Sequence, residues 1–278
     1  MSRPPVPPAA SDLVRTIAPG VQIPLLGLGV WDLVKGDEGE RAIVAALQGG
    51  YRHIDTAQEY GNEDTVGKAV RASGIPREQI FVTTKFLPGR ADSEAEAERS
   101  VERLGLDYID LYLVHDPRRN PVWAWPGMEA ALARGLTRSI GVSNFSPENL
   151  DALLAVASVP PAVNQLQLNP FAYRRELIAA CEARGIAVEA YSPLTRGADL
   201  ANPVIARVAA RLGRTPAQVM LRWGLEHGLI VLPKSNRPER QLENAAIFDF
   251  ALDAADIAEL DALDRTGGTS RAHEKPWW

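Results

Sequence analysis

The chain has 278 residues, a formal net charge of −5 at pH 7 and a sequence pI near 5.5. No stretch clusters Lys and Arg without intervening acids, which argues against a nucleic-acid-binding surface. No apolar run approaches the roughly 18 residues of a membrane span, and the single cysteine, Cys181, excludes an internal disulfide and fits a reducing, cytoplasmic compartment.

The ends of the chain differ in composition from the rest. The first ten residues hold four prolines and no apolar core, so we expect a disordered leader over 1–10 rather than a signal peptide. Nothing from 11 to 278 resembles a linker, and we predict a single domain there, acting as a monomer.

The chain then alternates between two kinds of pattern. Two apolar runs flank Pro19-Gly20 and predict a hairpin over Leu13 to Ile23 that could plug one end of a barrel. Short β-rich runs follow at 25–31, 52–54, 80–84, 109–114, 139–142, 163–166, 187–190 and 229–232. Helical patterns lie between them at 38–48, 63–71, 93–104, 125–133, 147–156, 174–184 and 216–226, with extra helices at 202–212 and 253–263.

Eight strands that alternate with helices predict one parallel sheet that closes on itself. We therefore predict an α/β fold, a (β/α)8 TIM barrel with an N-terminal β-hairpin and extra helices near the C-terminus. The length agrees, since such barrels typically take roughly 250 residues.

Polar side chains collect at the predicted strand ends. In a barrel of this kind, only the rim at the carboxyl ends of the strands gathers side chains from several strands. The predicted ends are Trp31, Asp55, Lys85, His115, Ser143-Asn144, Asn164-Gln165, Tyr191-Ser192 and Lys234-Ser235. We interpret this rim as a site.

A phenol beside this rim suggests proton donation to a carbonyl group. Tyr60 follows Asp55 across a short turn, and a neighbouring Lys85 ammonium would favour its phenolate, while Asp55 would hold the lysine charged. His115 would orient the substrate oxygen or share the proton. Taken singly, each residue has a structural alternative: a helix N-cap, a surface aromatic, a solvated lysine or a core histidine.

The same residues carry a resemblance to the aldo-keto reductases, running from about Leu13 to Asp264. It rests on several motifs in order: Asp55-Thr56-Ala57-Gln58-Glu59-Tyr60-Gly61-Asn62-Glu63, Thr83-Thr84-Lys85, Leu111-Tyr112-Leu113-Val114-His115, Gly141-Val142-Ser143-Asn144-Phe145, Asn164-Gln165 and Pro233-Lys234-Ser235-Asn236-Arg237-Pro238-Glu239-Arg240. The resemblance implies NADPH-dependent reduction of aldehydes or ketones without a metal. It also implies a catalytic tetrad of Asp55, Tyr60, Lys85 and His115, with Tyr60 as general acid.

The resemblance further implies where the cofactor binds. Ser143, Asn144 and Gln165 match residues that hold the nicotinamide carboxamide, Tyr191 matches the ring on which nicotinamide stacks, and Ser192 follows it at the rim. At the adenosine end, Lys234, Ser235, Arg237 and Arg240 resemble the 2′-phosphate contacts, and Glu243 and Asn244 the adenine contacts. The alternative is a solvated basic face with Pro238 as the first residue of a helix. Gly27-Leu28-Gly29 lacks the third glycine of a Rossmann fingerprint.

The substrate pocket departs from the family pattern. Many members have tryptophan after the catalytic histidine, where this chain has Asp116 followed by Pro117-Arg118-Arg119. We expect Trp31, Phe86 and Asp116 to line the pocket, and Trp123 and Trp125 to pack in the core or against helices. The terminal Trp277 and Trp278 either cover the pocket, pack against the barrel wall or contact another chain.

The sequence leaves two other functions open. A metal-dependent barrel hydrolase would use His53, Asp55 and His115 as ligands, since His53 and Asp55 face the same side of one strand. A non-catalytic NADPH-binding module would keep the cofactor site without turnover. The intact set of Asp55, Tyr60, Lys85 and His115 favours the reductase.

Overall fold

The structure is a computed structural model that describes residues 13–33, 36–89, 92–118 and 121–272. Within these ranges, eight parallel strands form one sheet in chain order. They are β3 (Leu28–Gly29), β4 (His53–Asp55), β5 (Phe81–Phe86), β6 (Leu111–Val114), β7 (Ile140–Ser143), β8 (Val163–Gln167), β9 (Ala187–Tyr191) and β10 (Ile230–Leu232). The predicted (β/α)8 barrel is confirmed.

The barrel closes between its first and last strands. A parallel bridge joins Leu26 to Val231. The Gly27 amide donates to the Val231 carbonyl at 3.0 Å, and the Val231 amide donates to the Leu25 carbonyl at 2.9 Å. Gly27 is needed at this seam, because an added Cβ would lie 2.6 Å from the His53 ring.

Helices surround the sheet. They are α1 (Asp37–Gln48), α2 (Glu63–Ala72), α3 (Ser93–Leu104), α4 (Trp125–Ala133), α5 (Pro147–Leu154), α6 (Arg175–Glu182), α7 (Pro203–Leu212), α8 (Pro216–Glu226), α9 (Pro238–Ala245) and α10 (Ala254–Asp261). Local sequence explains their ends: the Asp92 side chain caps α3 by accepting from two backbone amides, and Gly105 ends it in the left-handed conformation at φ 60°. The extra helices predicted near the C-terminus are α7 and α10.

The N-terminal hairpin consists of β1 (Val14–Ala18) and β2 (Val21–Pro24), paired antiparallel as predicted. Its buried Val21 and Ile23 pack with Phe81 and Leu111, which lie near the starts of barrel strands. The hairpin therefore plugs the amino-terminal end of the barrel and leaves the opposite rim free for chemistry. The predicted leader, 1–10, lies outside the described residues.

Alternation along each strand separates two environments. The even-numbered Ile54, Val82 and Val142 face the helices within the main hydrophobic core. On β4 to β9 the odd-numbered residues face the lumen, and on β10 the parity is reversed, with Ile230 in the lumen cluster and Val231 in the main core. This division decides which side chains reach the rim.

Candidate active site

The four residues predicted as a tetrad converge at the carboxyl ends of β4, β5 and β6. The Lys85 Nζ donates to Asp55 Oδ1 at 2.7 Å, to the Thr56 carbonyl at 2.9 Å and to the Tyr60 hydroxyl at 3.3 Å. Because these bonds use all three N–H groups of the ammonium, its position is fixed. The Tyr60 and His115 rings meet edge to face with centroids 5.7 Å apart.

The Tyr60 hydroxyl is held in its protonated form. Burial raises the pKa of Tyr60 above its usual value of 10, while the Lys85 ammonium acts in the opposite direction. Since the hydroxyl accepts the bond from Lys85, its own proton is available for donation. Lys85 is expected from the sequence to favour the phenolate, and it does lower the pKa of Tyr60. The opposing effect of burial is larger, so the pKa is raised on balance.

Lys85 itself remains charged. Burial alone would lower the pKa of this fully buried lysine, but Asp55 and its hydrogen bond more than offset that effect, and the pKa is raised. The pair thus places a fixed positive charge beside the phenol, within 4.9 Å of the ring centroid.

His115 is neutral at physiological pH. Burial, together with the charges of Lys85 and Arg118, holds its pKa well below 6.5. Its Nδ1 lies 3.5 Å from a carboxylate oxygen of Glu59. A neutral imidazole in this place can orient a substrate oxygen, but it is a poor proton source compared with Tyr60.

A second cluster of polar side chains lies at the carboxyl ends of β7, β8 and β9. The Tyr191 hydroxyl donates to Asn144 Oδ1 at 3.1 Å, and Asn144 Nδ2 donates to Ser143 Oγ at 2.9 Å. Ser143 Oγ in turn donates to the Gln165 carbonyl at 2.9 Å. Ser143, Asn144 and Gln165 are each at most 2% exposed, so the structure brings the predicted carboxamide contacts into one buried cluster.

Backbone strain is concentrated at this rim. In the described part of the chain, the residues other than glycine with positive φ are Asp32, Asn144, Ser192, Thr195 and Arg196. All of them follow β3, β7 or β9. Such conformations cost of order 1–3 kcal/mol each and cluster at functional sites, which points to this rim independently of the tetrad.

The segment predicted for the adenosine end surrounds the start of α9. Pro238 is the first residue of this helix, and Lys234, Arg237 and Arg240 are exposed around it. Ser235 is buried, and its Oγ accepts from the Arg237 amide at 3.1 Å. An uncapped helix start ringed by cations suits a phosphate.

The two predicted adenine contacts differ from each other. Asn244 is buried in α9. Glu243 accepts a 2.6 Å bond from the Thr215 hydroxyl at the start of α8, so its carboxylate is already partly engaged in joining the two helices.

The structure can be compared with the prediction for each expected pocket residue that it describes. Trp31 is 47% exposed at the rim, and the Arg196 guanidinium lies 4.4 Å from its ring centroid, as predicted for a residue at the mouth. Trp277 and Trp278 lie outside the described residues. The expectations for Phe86 and Asp116 are wrong.

Phe86 is fully buried in the core between sheet and helices. The reason is alternation, because its neighbour Lys85 faces the lumen and Phe86 must face the opposite side. Trp123, predicted to pack in the core or against helices, is 46% exposed and packs edge to face on Phe86, with ring centroids 6.0 Å apart. Trp125 is buried as predicted.

Asp116 does not present a carboxylate to the pocket. It is fully buried, accepts from the Arg118 backbone amide at 2.8 Å and forms an ion pair with the Arg118 guanidinium at 2.5 Å. Asp116 therefore influences the pocket mouth only by holding the Arg118 side chain. The Arg118 Nη2 also lies 3.9 Å from a carboxylate oxygen of Glu59.

His53 lies one layer below the tetrad, as expected for a core histidine. Its Nε2 is 2.9 Å from Thr83 Oγ1, and burial lowers its pKa to about 3. Over the described residues, no group of three or more His, Cys, Asp or Glu side chains is arranged to hold a metal ion.

Two acids near the tetrad were missed from the sequence. Glu189 is fully buried in the lumen, and Gln165 Nε2 donates to its carboxylate at 2.7 Å. It lies two residues before Tyr191 on β9, so strand periodicity alone would have placed it inside the barrel. Glu59 had no comparable signal, since its approach to His115 depends on the turn.

Comparisons with known proteins agree with this geometry. The model of the aldo/keto reductase family matches residues 25–265. An aldo-keto reductase of Mycolicibacterium vanbaalenii is 46% identical over 248 residues, which cover 87% of this chain and 88% of that protein. The glyoxal reductase of Bacillus subtilis is 41% identical over 264 residues, covering 94% and 95% of the two chains. The crystal structure of a Bombyx mori aldo-keto reductase in complex with NADP has a TM-score of 0.84 at 33% identity, covering 90% of this chain and 92% of that chain.

The fold and the rim define a barrel oxidoreductase that uses NADP(H) and acts on small-molecule carbonyl compounds. This chain belongs to the aldo/keto reductase family. In the parts of the chain that the structure describes, no helix has both the length and the apolar character needed to cross a bilayer.

The residues present fit this cofactor at both ends. The buried cluster of Ser143, Asn144 and Gln165 offers the hydroxyl and amide groups that a carboxamide needs. The exposed cations Lys234, Arg237 and Arg240 suit a dianionic phosphate.

Proposed function

We propose that this protein reduces an aldehyde or ketone to an alcohol with NADPH, and that Tyr60 is the general acid. The observation that carries the proposal is the bond from Lys85 Nζ to the Tyr60 hydroxyl, which leaves the phenol proton directed to another acceptor. The neutral state of His115 supports the same assignment, because it leaves Tyr60 as the stronger candidate donor.

The cofactor, when bound, supplies the hydride that reaches the carbonyl carbon. The chain's own residues perform the remaining tasks. Tyr60 donates a proton to the carbonyl oxygen, Lys85 stabilises the phenolate left behind, and Asp55 keeps Lys85 charged and in place. His115 orients the substrate oxygen. Return of a proton to Tyr60 completes the cycle.

Cofactor placement follows from the rim clusters. We propose that Ser143, Asn144 and Gln165 hold the nicotinamide carboxamide and that Tyr191, fixed by its bond to Asn144, provides the stacking surface. Ser192, whose left-handed backbone turns the chain after β9, lies beside it. Lys234, Ser235, Arg237 and Arg240 would hold the 2′-phosphate, with Glu243 and Asn244 at the adenine.

The pocket walls are proposed to be Trp31 and Trp123, both nearly half exposed. We place the charges of Glu59 and Arg118, which lie 3.9 Å apart, at the mouth of this pocket. A pocket with aromatic walls and a polar entrance suits small polar carbonyl compounds, and the similarity to a glyoxal reductase makes dicarbonyls the first class to test.

The test is NADPH oxidation with a panel of glyoxal, simple aldehydes, keto acids, keto esters and small sugars. Turnover of any class supports the reductase, and the ranking of kcat/KM assigns the substrate class. NADPH binding without turnover across the panel would favour the non-catalytic module.

We also propose that the enzyme is a cytoplasmic monomer. The single cysteine, Cys181, is buried and unpaired, which suits a reducing compartment. Sedimentation analysis of the full chain would test the monomer, and fractionation of the native cell would test the location.

A further inference from the structure

Glu189 is a fully buried acid that the proposed reaction does not use. It faces the lumen from β9, directly beside Gln165 on β8, with which it is paired in the sheet register. Burial of a carboxyl group costs free energy unless the group forms hydrogen bonds. The hydrogen bonds that Glu189 forms below the tetrad therefore indicate what it does there.

The contacts of Gln165 indicate that role. Its Nε2 donates to Asp55 Oδ2 at 2.7 Å and to Glu189 Oε2 at 2.7 Å. A primary amide has two N–H groups, and both are taken by these carboxyl groups. The side-chain oxygen of Gln165 must therefore point away from them, because an amide turned the other way would set oxygen against oxygen.

This arrangement joins two parts of the site. The other oxygen of Asp55 receives the bond from Lys85, which reaches Tyr60. A hydrogen-bonded chain thus runs from Glu189 through Gln165, Asp55 and Lys85 to Tyr60. Within this chain, Glu189 bonds directly to Gln165, the residue proposed to hydrogen-bond to the carboxamide. A substitution at Glu189 would therefore change the position of the Gln165 side chain first.

The charged and titratable surroundings of Glu189 are His53 and Asp55 on β4, Lys85 on β5 and Gln165 as the bridging amide. The His53 Nε2 lies 3.7 Å from Glu189 Oε1, and His53 is neutral because its pKa is lowered to about 3. Burial and the Asp55 charge raise the pKa of Glu189 to about 8, so it carries a proton at neutral pH. What Glu189 provides to Gln165 is then an acceptor oxygen rather than a charge.

We propose that Glu189 is a positioning residue that fixes the Gln165 amide, so that the Gln165 oxygen is presented to the N–H groups of the nicotinamide carboxamide. The inference rests on the proposed placement of the cofactor. It goes beyond that placement by assigning the orientation of Gln165 to an acid that itself does not contact the cofactor.

The test compares two substitutions and two ligands. Glu189→Met removes the acceptor while keeping an unbranched side chain, whereas Glu189→Gln keeps an acceptor oxygen for Gln165. The ligands are NADPH and 2′-phospho-ADP-ribose, which lacks the nicotinamide and reports only on the adenosine end. Dissociation constants are measured at pH 7 by calorimetry, without any turnover.

We expect Glu189→Met to weaken NADPH about tenfold, the effect of losing one well-formed hydrogen bond, and to leave 2′-phospho-ADP-ribose unchanged. Glu189→Gln should bind both ligands like the wild type. Equal weakening of both ligands in Glu189→Met would show general damage to the barrel and overturn the proposal, as would unchanged NADPH binding. Weakening by Glu189→Gln to the level of Glu189→Met would also overturn it.

A double-mutant comparison removes the remaining ambiguity. If Glu189 acts through Gln165, then Glu189→Met added to Gln165→Met should not weaken NADPH further, and an additive loss would contradict the proposal. Should the Met variant fail to fold, Glu189→Thr, whose side chain is too short to reach Gln165, is read in the same way. Failure of the wild type itself to bind NADPH would instead overturn the proposed function.

Discussion

The Lys85 ammonium lies 3.3 Å from the Tyr60 hydroxyl and donates to it. A buried cation that donates to a phenol both stabilises the phenolate after proton transfer and directs the phenol proton elsewhere. This contact is the basis for proposing Tyr60 as a proton donor rather than as an aromatic residue that only packs at the rim.

Tyr60→Phe removes the proposed proton donor while keeping the ring. We expect kcat to fall by at least about 10²-fold with little change in the dissociation constant for NADPH, as measured by steady-state kinetics and calorimetry. Tyr108→Phe, at the amino-terminal end of the barrel, is the matched control and should retain activity. Near-normal turnover by Tyr60→Phe would remove this residue from the mechanism.

Lys85→Met tests the charge pair. Because it leaves the Asp55 carboxylate buried without its partner, we expect a loss of about 3–5 kcal/mol in the free energy of unfolding. The double variant Lys85→Met with Asp55→Asn should be less destabilised than Lys85→Met alone, because no unpaired buried charge remains. We expect both variants to be inactive. Urea titrations give the comparison.

The control for this pair is Lys68→Met, because Lys68 forms an exposed pair with Asp64 and should change stability little. If the double variant is as unstable as the sum of its single substitutions, the two residues do not act as a pair.

Most of the barrel and the position of the tetrad could be predicted from the sequence, because both depend on local patterns along the chain. The order of the strand ends placed Asp55, Lys85 and His115 at one rim, because the carboxyl ends of the strands of a barrel meet there. The error at Phe86 came from counting its rim position without applying alternation. The ion pair of Asp116 and the stacking of Arg196 on Trp31 depend on how loops fold, which no local periodicity specifies.

Trp123 and Phe86 should exchange the roles that the sequence suggested for them. Phe86→Ala opens a cavity in the core, and we expect it to cost about 3–5 kcal/mol in the free energy of unfolding. Trp123→Ala removes a half-exposed ring that packs on Phe86, so it should cost clearly less stability than Phe86→Ala and should alter KM across the carbonyl panel. A large KM change without loss of stability in Phe86→Ala would restore Phe86 to the pocket.

Arg240→Ala tests the 2′-phosphate contact. A charge-assisted bond to phosphate contributes enough that its loss should weaken NADPH about 10- to 100-fold, whereas NADH should change little because it lacks that phosphate. Calorimetry with both cofactors gives the ratio. Arg207→Ala, an exposed arginine on α7 that pairs with Glu259, is the control. Equal weakening of NADPH and NADH would place Arg240 away from the phosphate.

Glu189→Gln should change how stability depends on pH. The pKa of Glu189 is raised from 4.5 to about 8 in the folded protein, chiefly by burial. The folded state therefore keeps this proton in a pH range where the unfolded chain loses it, so the stabilising contribution is complete below pH 4.5 and is lost as pH rises to about 8. Glutamine does not titrate, and the other acids are common to both proteins.

The difference in unfolding free energy, variant minus wild type, should then increase with pH across that window, by at most about 1.4 kcal/mol per pH unit, and stay level above it. Urea titrations of both proteins at several pH values measure the difference directly. A difference that is independent of pH would mean that Glu189 titrates alike in the folded and unfolded chains. Its burial beside Gln165 would then impose no cost on the ionised form.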